Sequence, residues 1–448
     1  MKKILFLCFL LLTLFWAACK PQNEVISQDN EQQLTFSEDA LVFDTIFAGQ
    51  RTATRRLRVY NPTKKAFKIS EIRLGGQAIS PYKIIVGGDK GINFNNIDIF
   101  GGDSLLILVE ANLPEATTGN IGLAYDSIVF RTSQNTQKVR LVAWSQKVNI
   151  ISGNIACNTV WDSPNPYILK DSAFINQNCS LEIKENVRVF AFNNAVLKVK
   201  GTLKISGTAE KPVKISYFRQ EEDYQHTLGQ WKGIVFYPTS QNNQINYATI
   251  KNAQIGLSVD NSSVNVNQTT IESMSMAGIS AENSVVTLNN CLITNCIERL
   301  FEGNFGGKYE LNHCTLANYE FNFNRDGNEG LAFINPEDAP RMEVSLFNCI
   351  FWGNLQEEVL FSPANMSDFS LFAGYNIFKT TAYENILSDN SFNNQLNVDA
   401  DSLFKNPSNF NFKLPITSPA RTKGVSSAIL IDILGKTRAN PPSVGTYE

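Results

Sequence analysis

The sequence predicts an all-β chain in two parts, a sandwich of short strands over residues 32–148 and a stack of strand-built coils over 149–448. Three observations carry this. A five-residue signature recurs five times in the second half: Ala248-Thr249-Ile250-Lys251-Asn252, Thr269-Thr270-Ile271-Glu272-Ser273, Cys291-Leu292-Ile293-Thr294-Asn295, Cys314-Thr315-Leu316-Ala317-Asn318 and Cys349-Ile350-Phe351-Trp352-Gly353. Its first positions fall 21, 22, 23 and 35 residues apart, and a period in the low twenties marks a solenoid whose repeats bury their apolar faces against one another. Inside each signature the inward positions alternate, which is the period of a strand and not of a helix. The first half instead carries separate alternating runs, such as Leu57-Arg58-Val59-Tyr60 and Val139-Arg140-Leu141-Val142-Ala143-Trp144, bounded by Asn-Pro and Gly-Gly turns. About seven short strands in that length suit an antiparallel sandwich.

Residues 1–19 read as an export signal: Lys2 and Lys3, an apolar run over 4–16, then Ala17 and Ala18. Cys19, directly after Ala-Ala, resembles a bacterial lipobox, with Trp16 where Leu is usual. The resemblance implies lipidation of Cys19, which becomes the mature N-terminus. An ordinary secretory signal with an incidental Cys is the alternative. Several acyl chains on one Cys hold a protein stably on a membrane. Lys20 stands where Asp retains such lipoproteins at the inner membrane, so the outer membrane is expected, its periplasmic or cell-surface face undecided. Residues 20–31 are polar and read as a tether.

Over 32–148, the strings Leu41-Val42-Phe43-Asp44-Thr45-Ile46-Phe47 and Arg56-Leu57-Arg58-Val59-Tyr60-Asn61-Pro62 resemble bacterial immunoglobulin-like domains of the kind found in cilia- and spindle-associated proteins. That implies a spacer or adhesion module. In the second part, signature positions one and three face inward. The fifth position stacks Asn252, Ser273, Asn295 and Asn318, and Gly353 breaks the column. Amides stacked at about 4.8 Å can bond along such a column, and Asn tolerates the left-handed bend of a corner. With Gly201-Thr202-Leu203-Lys204-Ile205-Ser206-Gly207 and Gln230-Trp231-Lys232-Gly233-Ile234-Val235-Phe236, these repeats resemble right-handed single-stranded parallel β-helix proteins of the pectin-lyase-like type. At about 22 residues per coil, on the order of 11 coils are expected. The 35-residue step reads as one coil with an insertion, roughly 322–341. Ser418-Pro419-Ala420, Asp432, Gly435, Arg438 and Val444-Gly445-Thr446-Tyr447-Glu448 resemble a terminal motif of such proteins, with Thr446 where Ala is usual, and imply a C-terminal cap from about 405.

Setting Cys8 and Cys19 aside leaves six of the eight cysteines. Cys157 and Cys179 lie 22 apart, near one coil, and are the candidate disulfide of an exported chain. Cys291, Cys314 and Cys349 are expected to pack as small apolar side chains with unreactive thiols. No Cys-x-x-Cys exists and the histidines are His226 and His313, so no metal site is expected.

A net charge of −3 implies no basic face for nucleic acid. No Gly-rich phosphate loop, Gly-x-Ser-x-Gly or His-Glu-x-x-His occurs. β-helix polysaccharide hydrolases carry clustered Asp residues with Gly-His-Gly and Arg-Ile-Lys, and these strings are absent. β-helix lyases hold calcium against a uronate on two or three carboxylates of adjacent coils, with a basic side chain to take the α-proton. The candidates for that chemistry are Arg325, Asp326 and Glu329 in the inserted loop, with Arg299 and Glu302 about a coil earlier. The competing reading is a solvated turn. Trp352 and Trp231 are the candidate sugar-stacking residues, against ordinary packing. His313 is expected to face outward and to do nothing. The functional expectation is a cell-envelope lipoprotein, held to the membrane by its lipid, presenting a β-helix surface to polysaccharide or another envelope protein without catalysis. The alternative is a polysaccharide lyase or glycoside hydrolase, with calcium as cofactor in the lyase case alone.

Overall fold

The computed structural model describes residues 33–47, 54–113, 121–133, 135–319, 325, 327–387 and 392–448. Cys19 and the tether lie outside them. The chain divides into two compact units, Met1–Lys147 and Val148–Glu448.

The first unit is two five-stranded sheets. One orders the strands Thr35–Phe36, Arg55–Tyr60, Ser104–Ala111, Tyr82–Val86 and Asp89–Gly91. The other orders Ala40–Phe47, Thr136–Gln146, Ile121–Arg131, Phe67–Leu74 and Asn93–Ile99. Period-two alternation drives the layering: Leu57, Val59, Ile84, Ile107 and Val109 from one sheet meet Leu41, Ile69, Ile72, Phe130 and Leu141 from the other in a single core. Pairing is antiparallel apart from Ala40–Phe47, which lies parallel to Thr136–Gln146 with Ala40 opposite Arg140. This is an immunoglobulin-like arrangement in which an early strand enters at an edge beside the last one.

The second unit is one 25-stranded sheet of parallel pairings wound into coils, a parallel β-helix. Each full coil contributes three strands, as in Ala248–Lys251, Ile255–Asp260 and Ser263–Asn267 before Thr270–Met274 opens the next. Three columns result: a signature column, a middle column, and a third column here called the amide column. The signature column is in register from end to end, running Asn149, Tyr167, Val189, Ile215, Ile250, Ile271, Ile293, Leu316, Phe351, Phe378 and Leu396. That is eleven turns among the described residues. Signature positions one and three are buried throughout, and they form the core with the inward residues of the other columns.

Corners follow from residues that accept a left-handed backbone at low cost. Asn252, Ser273 and Asn295 sit at φ of 65°, 63° and 53° where the signature strand turns into the middle strand. Asn290, His313 and Asn348 sit at 54°, 51° and 54° at the corner before the signature strand. The 35-residue step is not one insertion at 322–341. Leu331–Asn335 is a middle-column strand paired with Phe301 to Asn304, and Met342–Phe347 continues the amide column beside Gly307 to Asn312. The extra residues therefore divide between 319–330 and 336–341.

The C-terminal segment corrects a second expectation, because it does not close the end of the helix. It runs back along the outer side of the signature column. Leu292, Ile350, Trp352 and Ile377 point outward from their strands, yet they are buried with Leu403, Phe404, Phe412, Leu414, Ala420 and Val444. The corner residues Asn290, His313 and Asn348 form its attachment rail. Asn290 Nδ2 donates to the Ile431 carbonyl at 2.6 Å, His313 Nε2 lies 3.2 Å from Ser427 Oγ, and Asn348 Nδ2 donates to the Val425 carbonyl at 3.0 Å. Arg438 donates to Asn290 and to the Ser443 and Gly445 carbonyls. Asp432 accepts from the backbone of Leu434, Lys436 and Glu448.

Candidate functional site

The structure occupies the candidate catalytic side chains with structural partners. Arg325 is 2% exposed and forms a fork-to-fork pair with Glu358, Nη1 to Oε1 at 3.1 Å and Nη2 to Oε2 at 2.9 Å. It also donates to Asn354 Oδ1 at 2.8 Å and to the carbonyls of Asn318 and Asn328. Glu358 accepts the backbone N–H groups of Gly330 and Leu355 as well, so neither group is open to a substrate. Arg299 bonds the carboxylate and carbonyl of Glu329 and the carbonyl of Gly327, which ties down the same loop. Glu302 accepts from Ser280 Oγ at 2.5 Å. Asp326 lies outside the described residues. The sequence thus brought Arg299 and Glu329 together for a structural reason, and it missed Glu358, whose distance along the chain hides the pairing.

Neither tryptophan presents a face to a sugar: Trp231 follows the packing reading, and the stacking expectation for Trp352 is corrected. Trp231 is fully buried, its Nε1 donating to the Lys251 carbonyl at 2.7 Å. Trp352 does point outward from its strand, but the C-terminal segment covers it and leaves 2% exposed, with Lys379 Nζ over the ring at 5.6 Å. His313 has the expected outward phase and is buried by the same cover. Desolvation, aided by Arg438, lowers its pKa to about 3. His226 stacks on Phe410 at 4.1 Å between centroids, and burial lowers its pKa. Cys157 and Cys179 form a disulfide with Cα atoms 4.5 Å apart, between strands of adjacent coils. Cys291, Cys296, Cys314 and Cys349 are free and buried. Among the described residues no three His, Cys, Asp or Glu side chains gather as metal ligands.

The outer face of the amide column is open. It is built by the strands Asn243–Asn246 and Ser263–Asn267, the second halves of Ala277–Asn289 and Arg299–Asn312, and Met342–Phe347. Gln244 and Asn265 are exposed, and Thr287 and Glu310 half-buried, in register on successive coils. Beside them Asn246, Asn267, Asn289 and Asn312 form a ladder, each later Nδ2 donating to the preceding Oδ1 at 2.8, 2.9 and 3.3 Å. The fifth-position column of the signature does not bond in this way. Asn252 Nδ2 donates to the Gln225 and Thr227 carbonyls, and Asn318 Nδ2 to the Cys296 carbonyl. The ladder's steps of 21, 22 and 23 residues were nonetheless readable in the sequence. Each interior ladder amide uses one N–H and one acceptor site along the column, leaving its second N–H and further acceptor capacity for a ligand. Charged pairs flank this neutral strip, Glu182 with Lys184 and Lys204 at one end and Lys308–Glu310 and Arg341–Glu343 at the other.

No family model and no curated protein matches the sequence. Among solved structures, the chain is similar to the ASH/PapD-like domain of human CEP192 at 10% identity, covering 29% of this chain and 96% of that one, with a TM-score of 0.18. It is also similar to a family 123 glycoside hydrolase from Clostridium perfringens at 8% identity, covering 30% of this chain and 31% of that one, TM-score 0.19. The catalytic domain of Agl-KA matches at 10% identity over 84% of this chain and 100% of that one, TM-score 0.14. Scores this low carry no argument about function.

Proposed function

We propose that this chain is a cell-envelope lipoprotein of pectin-lyase-like architecture that offers the open amide face of its β-helix to an extended, uncharged stretch of polysaccharide and performs no catalysis. One observation carries the reading: a flat strip of Gln244, Asn265, Thr287 and the Asn246–Asn267–Asn289–Asn312 ladder, repeating at the strand spacing of about 4.8 Å with hydrogen-bonding capacity turned to solvent. A regular polymer meets the same donors and acceptors on every coil, so weak contacts add along its length. The lyase alternative loses support because Arg299, Arg325 and Glu329 are spent on holding their own loop. The membrane partner and the outer-membrane address rest on the lipobox resemblance at Cys19.

Affinity electrophoresis of the chain from Lys20 onward in gels containing neutral and acidic polysaccharides tests this. Retardation by at least one neutral polymer, abolished in Asn265→Ala/Thr287→Ala/Asn289→Ala, is the expected result. Unsaturated or reducing-end products from any polymer would overturn the non-catalytic part. For the anchor, Cys19→Ser is expected to move the protein from the membrane to the soluble fraction.

A further inference from the structure

The outer face of the sheet Thr35–Phe36, Arg55–Tyr60, Ser104–Ala111, Tyr82–Val86 and Asp89–Gly91 carries an amphipathic cationic patch that the proposed function does not use. Register places its members. Arg56 lies opposite Leu108, which lies opposite Ile85; Arg58 lies opposite Leu106; Lys83 lies opposite Glu110. Arg56, Arg58 and Lys83 are exposed, Leu106 is 39% exposed, and Leu108 and Ile85 are half-buried between the cations. Glu110 is neutralised by Lys90. No carboxylate among the described residues pairs with Arg56, Arg58 or Lys83. The imbalance extends over this part of the chain: residues 32–147 hold 14 Lys and Arg against 10 Asp and Glu, whereas 148–448 hold 22 against 29. The cations therefore stand on one part of an otherwise acidic protein.

We infer that this sheet face docks on an anionic lipid surface. Charge complementarity selects an anionic partner, since an unpaired Lys or Arg near such a surface gains about 1 kcal/mol. The centre of the patch selects lipid over acidic glycan. Leu106, Leu108 and Ile85 are branched aliphatics that suit the headgroup–acyl boundary, whereas sugars are held by flat aromatic rings, and the patch has none at its centre. The long stems of Arg56, Arg58 and Lys83 reach over this apolar ground to phosphates at its rim. The inference does not depend on the amide face, nor on acylation of Cys19.

The test is flotation of the chain from Lys20 onward, which contains every described residue and lacks the acyl site, with vesicles of phosphatidylcholine alone or mixed with phosphatidylglycerol. Binding to the mixed vesicles alone, weakened by salt, is expected. Arg56→Glu/Arg58→Glu/Lys83→Glu should lower partitioning on the order of 100-fold or more, and Leu106→Asn should lower it with the charge intact. An unchanged unfolding transition confirms that each variant folds. Equal binding by the triple variant, or no binding to anionic vesicles, overturns the inference. Retention by a soluble acidic polysaccharide without vesicle binding also overturns it, in favour of a glycan at this face. The amide-face variant Asn265→Ala/Thr287→Ala/Asn289→Ala should bind vesicles normally, which separates failure here from failure of the polysaccharide reading.

Discussion

Replacing Arg325 by Met removes one half of the pair Arg325–Glu358, in which each side chain is 1% exposed. The remaining carboxylate keeps the Gly330 and Leu355 N–H groups but loses both guanidinium bonds, 3.1 and 2.9 Å, and cannot reach water. Leaving one charge of a buried pair uncompensated costs about 3–5 kcal/mol. For the β-helix unit Val148–Glu448, an unfolding entropy of about 2.1 cal/mol/K per residue turns that loss into a fall of roughly 5–8 °C in its melting temperature. Calorimetry of the chain from Lys20 onward reads this directly. Arg325→Met/Glu358→Leu removes both charges, and it should recover most of the loss because a well-packed apolar pair replaces a buried ion pair at little net cost. A fall of less than 1 °C, or a double variant as unstable as the single one, would refute the structural role and reopen Arg325 as a substrate-facing residue.

Acid should weaken the same unit through His313. Its folded pKa of about 3 lies below the unfolded value of about 6.5, so the unfolded chain takes up a proton that the folded chain refuses. Stability is full above pH 6.5 and falls as pH drops toward 3, by up to about 4 kcal/mol; urea titrations across that range should show His313→Asn flattening the slope while keeping the left-handed corner. Gly445 stands at φ 90°, and a Cβ there would lie 2.7 Å from Ile350 Cδ1 and Thr315 Oγ1. Gly445→Ala should therefore loosen the C-terminal segment by about 1–3 kcal/mol, seen as faster limited proteolysis within 405–448. Burial raises the Cys296 thiol to about 12 and pushes Cys291 up as well. The four free thiols should stay unlabelled by a disulfide reagent until denaturant is added. Trp231→Phe leaves the Lys251 carbonyl without its 2.7 Å donor and should cost about 1–3 kcal/mol, measured in the same melts.

The fold was legible because its period is covalent: five signatures at near-constant spacing put Ile250, Ile271, Ile293, Leu316 and Phe351 in register with no tertiary knowledge. The candidate site was not, for two reasons. Arg325 and Arg299 look like loop cations until their partners are known, and Glu358 lies 33 residues from Arg325 with no local pattern to announce it. The outward phase of Trp352 and His313 was readable, but exposure is not phase alone. It depends on what packs from outside, here a segment without repeats whose path the period does not encode. The amide ladder is as periodic as the apolar signature, with Asn267 and Asn289 just ahead of it, but single polar residues on an outward phase carry no burial pattern to set them apart.

The C-terminal segment also sets an order of events. A β-helix can wind coil by coil as the chain emerges, each turn resting on the last. Leu292, Ile350, Trp352 and Ile377 belong to turns that can form early, but their cover includes Ala420 and Val444, which are synthesised late. Until those residues arrive, a nascent chain carries a greasy stripe along its side. A chain stopped before Leu403 would keep the whole stripe with its coils intact. Winding of the coils and burial of their flank are therefore separate events, the second complete only once Ala420 and Val444 have docked.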